Sequence, residues 1–189
     1  MEGKTHCLDI DFQIRLLTEN DFESLSSFTC GVDELDYFFR NEVKECIKYH
    51  YLSAYCAFLN SGEIIAAFTL MNDALMIANP YEKEEFIEDV KFETTEDIVD
   101  FFSRQTSYPA INIGHLATSI KYQGHGVGSA IIDLVAETYA NDSRAGCQFI
   151  TVDSLNNPNT NKFYTKNLFF NQTDKDSTRP TRRMYRILL

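Results

Sequence analysis

Apolar residues recur along this chain at two spacings, and the changes between them mark out the elements. Alternation from Phe12 to Leu17 predicts a first strand. A helix should follow through Asp21 to Phe28, with Thr18 able to cap it and Asp21 at the third position of its first turn. Leu35, Phe38, Phe39, Val43 and Ile47 repeat at helical intervals and predict a second helical region over about Val32–Tyr49. Tyr51–Leu59 and Glu63–Leu70 read as strands around Asn60-Ser61-Gly62, a hairpin signal. A β-branched, apolar run from Ile111 to Ile120 reads as a strand that enters a glycine-dense turn (Gly124, Gly126, Gly128). Val127, Ala130, Ile131, Leu134, Val135 and Thr138 then repeat close to i, i+3, i+4, i+7, which predicts a helix. Cys147–Asp153 reads as a further strand. Asn157 before Pro158 is an N-cap followed by proline at the first helical position. A last pair of strands is expected near Phe169–Thr173 and Met184–Leu188. The order predicts one mixed α/β domain built around a central sheet.

Between Glu82 and Asp100 stand nine acidic residues against Lys83 and Lys91, so this stretch contributes −7 of the formal net charge of −11. Phe86, Ile87, Val90, Ile98, Val99, Phe101 and Phe102 interrupt it at helical intervals. It reads as one or two amphipathic helices, an acidic insert at about 76–108, whose charged side is a solvated face or a rim that attracts a cationic substrate. At 189 residues the chain suits a single domain over 1–189. No basic, apolar leader opens it and no apolar run approaches 18 residues, which points to a cytoplasmic protein without a membrane span. Five scattered cysteines (Cys7, Cys30, Cys46, Cys56, Cys147) read as reduced thiols, and four histidines without an i, i+4 pair indicate no metal.

The glycine turn carries the chemistry. A strand that enters such a turn and then a helix points unpartnered N–H groups at one spot, and the helix dipole adds partial positive charge, so the spot suits phosphate. No Lys follows the glycines, which argues against a Walker loop. Reading from Gly124, the third glycine of a dinucleotide fingerprint would fall at Ser129, and Asp153 comes too late for its acidic residue. What remains is Q-x-x-G-x-G, spelled Gln123, Gly126, Gly128. Together with Asn157, Thr160, Phe163 and Tyr164 further on, it resembles the paired motifs of the GNAT superfamily of acetyl-CoA-dependent N-acetyltransferases, over about residues 12–189. Thr160 stands where that pattern has alanine. Leu168 stands where it has glycine, which suggests a different helix C-terminus.

The resemblance implies a GNAT-like fold: a mixed, mostly antiparallel sheet with helices on both faces and a V-shaped splay at the cofactor. It implies direct acetyl transfer to a primary amine in a ternary complex. Backbone groups of Leu116, Ala117 and Thr118 would pair with the pantetheine arm. Gln123, Gly124, His125, Gly126, Val127, Gly128 and Ser129 would hold the pyrophosphate through main-chain N–H groups, with Asn157 also at the cofactor. Tyr164 is the candidate general acid for the departing thiolate, since a phenol stays protonated at neutral pH. The base is open. Asn112 and Gly114 occupy the positions where relatives carry Glu or His, and strand alternation turns His115 to the opposite face. Asp73, Asp153 or a water chain remain.

Phe28-Thr-Cys-Gly-Val-Asp-Glu-Leu-Asp36 resembles the F-x-C-G-x-x-x-L-D entry of a bacterial group that includes toxins acetylating aminoacyl-tRNA. A tRNA-binding face should be basic. The one basic cluster here is Arg179, Arg182, Arg183 and Arg186, which could equally line the outer face of a strand. This reading therefore ranks a small-molecule or peptide amine above tRNA as the acceptor. A non-catalytic acetyl-CoA-binding module is the alternative from another class, and a homodimer stays open.

Overall fold

The computed structural model of this chain describes residues 3–7, 10–141 and 145–189. Its elements begin with β1 (Gly3–Cys7), β2 (Ile10–Leu16), α1 (Phe22–Leu25), α2 (Asp33–Tyr37), a π-helical turn (Phe38–Glu42) and α3 (Val43–Lys48). Then come β3 (Ser53–Phe58), β4 (Ile64–Met76), α4 (Pro80–Glu93), α5 (Glu96–Ser103) and β5 (Ser107–Thr118). α6 (Val127–Asn141), β6 (Phe149–Leu155), α7 (Pro158–Lys166), β7 (Phe170–Asn171) and β8 (Thr181–Ile187) complete it. Two compact units result: Met1–Met71 with Ile113–Thr138, and Asn72–Asn112 with Tyr139–Leu189. β4 and β5 each pass from one unit into the other.

In the first unit the strands bond in the order β1-β2-β3-β4-β5, with β1/β2, β2/β3 and β3/β4 antiparallel. The expected hairpin joins β3 to β4: Leu59 N–H bonds Glu63 O at 3.0 Å, and Gly62 takes φ +87°, which glycine adopts without a Cβ penalty. β1 is an unforeseen strand. Its residues show no apolar alternation, and its main chain pairs with β2 from Gly3 opposite Ile14 to Cys7 opposite Ile10. The helix expected over Asp21–Phe28 is a 3-10 turn plus one turn of α1. Ser26 and Ser27 hydroxyls donate back to Glu23 O and Ser24 O at 2.6 and 2.9 Å, competing with the helical pattern there. The start matches expectation. Asp21 accepts from Thr18 N–H at 2.8 Å and from both Arg15 guanidinium nitrogens at 2.7 Å, and Arg15 holds its carboxyl well below the usual range. Leu17, Leu25, Phe28, Phe39, Val43, Ala54, Cys56, Ala67 and Ala117 form this unit's core.

In the second unit the order is β4-β5-β6-β8-β7, with β5/β6 parallel and β6/β8 and β7/β8 antiparallel. Phe86, Phe102, Tyr108, Phe149 and Tyr185 make an aromatic core, the Phe86 and Tyr108 ring centroids lying 5.0 Å apart. The acidic segment thus folds as two helices that bury Phe86, Val90 and Phe102 and expose Glu84, Glu85 and Glu88. Phe101 departs from the expected apolar face and is half-exposed. Asn79 caps α4, accepting from Tyr81 N–H at 2.9 Å ahead of Pro80. Lys83 turns inward, and its ammonium donates to Phe102 O, Gln105 O and the Tyr108 hydroxyl. Among the described residues no helix is long and apolar enough to cross a membrane, and no cluster of three metal-ligating side chains occurs.

Candidate functional site

The first group of candidate residues lies where β5 runs out. Leu116, Ala117 and Thr118 end that strand, Ser119 N–H bonds Ile65 O at 2.8 Å, and a 3-10 turn leads to Gln123. Gly124 and Gly126 take φ +80° and +84°, a left-handed backbone that side-chain-bearing residues adopt at a cost. A Cβ placed on Gly124 would meet nothing within 4 Å. The first bond into α6 runs from Ala130 N–H to Gly126 O at 3.0 Å, so the N–H groups of Val127, Gly128 and Ser129 have no helical acceptor. These donors sit at the positive end of a 15-residue helix and fit a pyrophosphate.

The Gln123 side chain plays another part. Its amide donates to Cys30 O at 2.7 Å and to Thr118 O at 3.0 Å, tying the turn to the strand end before it and to the loop around Cys30. That loop is braced in its own right. The Asp36 carboxylate accepts from Cys30 N–H at 2.7 Å and from the Thr29 hydroxyl, while Arg40 donates to Phe28 O at 2.6 Å. Gly31 takes φ +80° beside Ile120 of the 3-10 turn. The spacing F-x-C-G-x-x-x-L-D is therefore the hydrogen-bonding pattern of a brace against the glycine turn. The sequence showed the motif but not this use, because nothing local pairs Gln123 with Cys30. His125 stays exposed, its Nδ1 3.0 Å from Gln123 O.

His115 is packed away, as alternation along the strand implies. Thr69 Oγ1 accepts the His115 backbone N–H at 3.0 Å, so its one hydrogen goes to Nδ1, 3.1 Å away. The ring proton then sits on Nε2. Burial pushes the imidazole pKa down to about 4.

The second group belongs to the other unit. Asn157 Oδ1 accepts from Thr160 N–H at 2.9 Å, the expected cap, which commits that oxygen to α7. Tyr164 is 8% exposed, edge-on to Phe163 and Phe169, with ring centroids 5.1 and 5.2 Å away. Its hydroxyl bonds to none of the described residues, and burial alone pushes its pKa up to about 12. Leu168 corrects an expectation. Rather than altering the helix end, it adopts φ +64°, as a glycine would. Leu168 N–H bonds Thr165 O and Phe169 N–H bonds Tyr164 O, both at 3.1 Å, and the Phe169 ring packs on Tyr164. That is a complete Schellman termination with leucine at the glycine position.

Both carboxylates left open as bases are engaged by one guanidinium. Arg183 donates to Asp153 at 2.8 Å and also to Asp73, which accepts the Thr151 hydroxyl as well. Asn112 Nδ2 in turn donates to Thr151 Oγ1 at 3.1 Å. Of the remaining basic cluster, Arg179 pairs with Asp176 at 3.2 Å and Arg186 donates to Asn167 O at 3.5 Å, whereas Arg182 Nε is buried with no partner among the described residues.

The sheet pattern and the strand–glycine turn–helix passage together define the GNAT-like mixed α/β fold. No protein-family model matches the chain, and no curated protein does. Solved structures do. The toxin AtaT, as a tyrosine-to-phenylalanine mutant bound to the C-terminus of the antitoxin AtaR and acetyl-CoA, is 17% identical at a TM-score of 0.66, covering 94% of this chain and 93% of that one. AtaT complexed with acetyl-methionyl-tRNAfMet is 19% identical at 0.70, covering 92% and 94%. A tyrosine-to-phenylalanine mutant of KacT is 15% identical at 0.70, covering 94% and 95%. Similarity at these identities establishes a shared fold.

Proposed function

We propose that this chain transfers the acetyl group of acetyl-CoA to the α-amino group of an aminoacyl-tRNA. The observation that carries the transferase reading is the glycine turn, whose free N–H groups at the head of α6 fit a pyrophosphate. Bound acetyl-CoA supplies an activated thioester. The Val127, Gly128 and Ser129 N–H groups hold its phosphates, and the backbone of Leu116, Ala117 and Thr118 orients its arm. Tyr164 would give its hydroxyl proton to the sulfur that leaves, and the phenolate so formed would take the proton that the nitrogen loses as the amide forms.

The acceptor follows from what these residues cannot do. Asn112 and Gly114 take no proton, His115 is packed against Phe38, and Asp73 and Asp153 are bound to Arg183. With these side chains engaged, an amine that arrives already neutral is favoured over one that must first be deprotonated through water. An α-amino group with a pKa near 8 is roughly a quarter neutral at pH 7.5, whereas a lysine-type amine near 10.4 is only about 0.1% neutral. Polyamines and lysine side chains are thereby disfavoured. Among α-amines, the complex of AtaT with acetyl-methionyl-tRNAfMet favours the tRNA ester over a free peptide. The acidic total of −11 does not oppose this, because charge acts locally: seven of those charges belong to the segment Glu82–Asp100. Lys162 and Lys166, exposed one turn apart on α7, form no ion pair among the described residues and are among the cations available to phosphate. By the same parallel, the partner proposed is an antitoxin chain, as AtaR is for AtaT.

Incubation with radiolabelled acetyl-CoA and a panel of charged tRNA, deacylated tRNA, peptides and spermidine tests the reading. Label should appear on charged tRNA and be absent from the deacylated form. Label on spermidine alone would restore a small-molecule acceptor, and acetyl-CoA binding without transfer to any amine would leave a binding module.

A further inference from the structure

The hydrogen-bonded register between β5 and β6 runs from Ala110 opposite Phe149 to Asn112 opposite Thr151. This last pair is polar and buried, Asn112 at 4% and Thr151 at 0% exposure. A polar pair at such a depth persists only if its hydrogen bonds are made, and here they can be made in one sense only.

The Arg183 guanidinium donates to Asp73 Oδ2, the same oxygen that Thr151 approaches, so towards Thr151 Asp73 is the acceptor. The Thr151 hydroxyl has a single hydrogen and must give it to Asp73. Only its lone pairs then remain for Asn112, which must present its NH₂. The direction of each bond is fixed by the one behind it, back to the guanidinium. Asn112 Oδ1 is consequently turned away from Thr151, and none of the described residues donates to it. Among the described residues, the side-chain oxygens that are wholly enclosed and unpartnered belong to Gln148 and Asn161, and Asn112 Oδ1 is not one of them.

We infer that Asn112 Oδ1 accepts an N–H of the attacking amine, and that Thr151 and Asp73 are positioning residues that lock the amide in that orientation. A neutral primary amine can give one N–H to this oxygen and keep its lone pair for the acetyl carbon, which an ammonium ion cannot. Asn112 thus orients the lone pair of the neutral form without removing the proton itself, and sits where the resemblance would have put a base. The inference rests on the transferase reading.

The test compares Thr151→Val, Thr151→Ser and Asn112→Ala with the parent protein, reading steady-state transfer to the best acceptor, acetyl-CoA affinity by calorimetry, and melting. Thr151→Val frees the amide to rotate, and the KM for the acceptor should rise roughly tenfold with acetyl-CoA affinity unchanged. Asn112→Ala should match it. Thr151→Ser restores the hydroxyl and should restore the KM. A folded Thr151→Val or Asn112→Ala protein with the parent's acceptor KM overturns the inference while leaving the transferase reading intact. So does a Thr151→Ser protein that melts normally yet fails like the valine variant. Should Thr151→Val not fold, Asn112→Ala and Thr151→Ser decide by the same criteria. A parent protein that binds acetyl-CoA but acetylates no amine overturns the transferase reading itself, and this inference with it.

Discussion

The ring of Phe38 lies flat against that of His115, centroids 3.5 Å apart and planes 8° from parallel. With Thr69 on Nδ1, the imidazole is held as a neutral packing element. Its folded pKa of about 4 is below the ordinary 6.5, so the folded chain binds fewer protons than the unfolded one between those values. The stability this group contributes is complete above pH 6.5 and is lost as pH falls toward 4. Thermal melts at pH 7.5 and 5 should show a smaller drop for His115→Gln than for the parent. The limb of the pH–rate profile should survive in the same variant, and its disappearance would make His115 the base after all.

Gln123 is expected to act on the cofactor without touching it by its side chain. Gln123→Ala removes the two bonds to Cys30 and Thr118 and should weaken acetyl-CoA roughly tenfold, with little change in melting. Gly126→Val should abolish binding, and for a reason internal to the loop: a β-branched residue resists φ +84°, so the donor N–H groups would be redirected. Unchanged calorimetric affinity in a folded Gly126→Val protein would remove the glycine turn from the cofactor site.

Tyr164→Phe keeps the edge-on contacts to Phe163 and Phe169 and deletes only the hydroxyl. Turnover should fall about 100-fold or more while the KM for acetyl-CoA holds. In the parent, with the phenol at about 12, turnover should not decline between pH 8 and 10 through loss of this proton. Parent-like turnover in the phenylalanine protein would dismiss Tyr164 as the acid.

Asp36 ties the loop over Thr29 and Cys30 to α2 through a charged acceptor. Asp36→Ala leaves a buried N–H unpaired and should lower stability by about 2–3 kcal/mol in urea unfolding. A smaller brace would show as a loss within experimental error.

The elements announced by strong periodicity were legible: the glycine turn, α6, and α7 with its Asn157–Pro158 start fall where the residues placed them, and β5 does so apart from starting at Ser107 and ending at Thr118. What escaped were features held by partners distant in sequence. β1 is a strand because β2 offers it an edge, a fact absent from Gly3–Cys7 itself. α1 stops early because of serine hydroxyls, which propensity along the segment did not weigh heavily enough. The π turn at Phe38–Glu42 left the apolar spacing near helical, so the region read as one plain helix. At the candidate site, residue types pointed to Tyr164 and the glycines, but Asn112 read only as a missing base. Its orientation depends on Arg183, 71 positions later, through two intermediaries. No local pattern encodes such a chain.

Leu168 has a consequence for how long the Tyr164 helix stays closed. A leucine in the left-handed region forgoes about 1 kcal/mol that glycine would not, and its side chain, 53% exposed, recovers little of this through burial. The end of α7 should therefore open about fivefold more often than the same turn closed by glycine. Amide hydrogen exchange at Leu168 and Phe169 measures this directly, and Leu168→Gly should slow it by that factor. Because Phe169 N–H bonds the carbonyl of Tyr164 and its ring packs on the phenol, each opening also loosens the residue proposed as the acid. If Tyr164 is the acid proposed above, the lifetime of that turn sets an upper bound on how long it stays aligned.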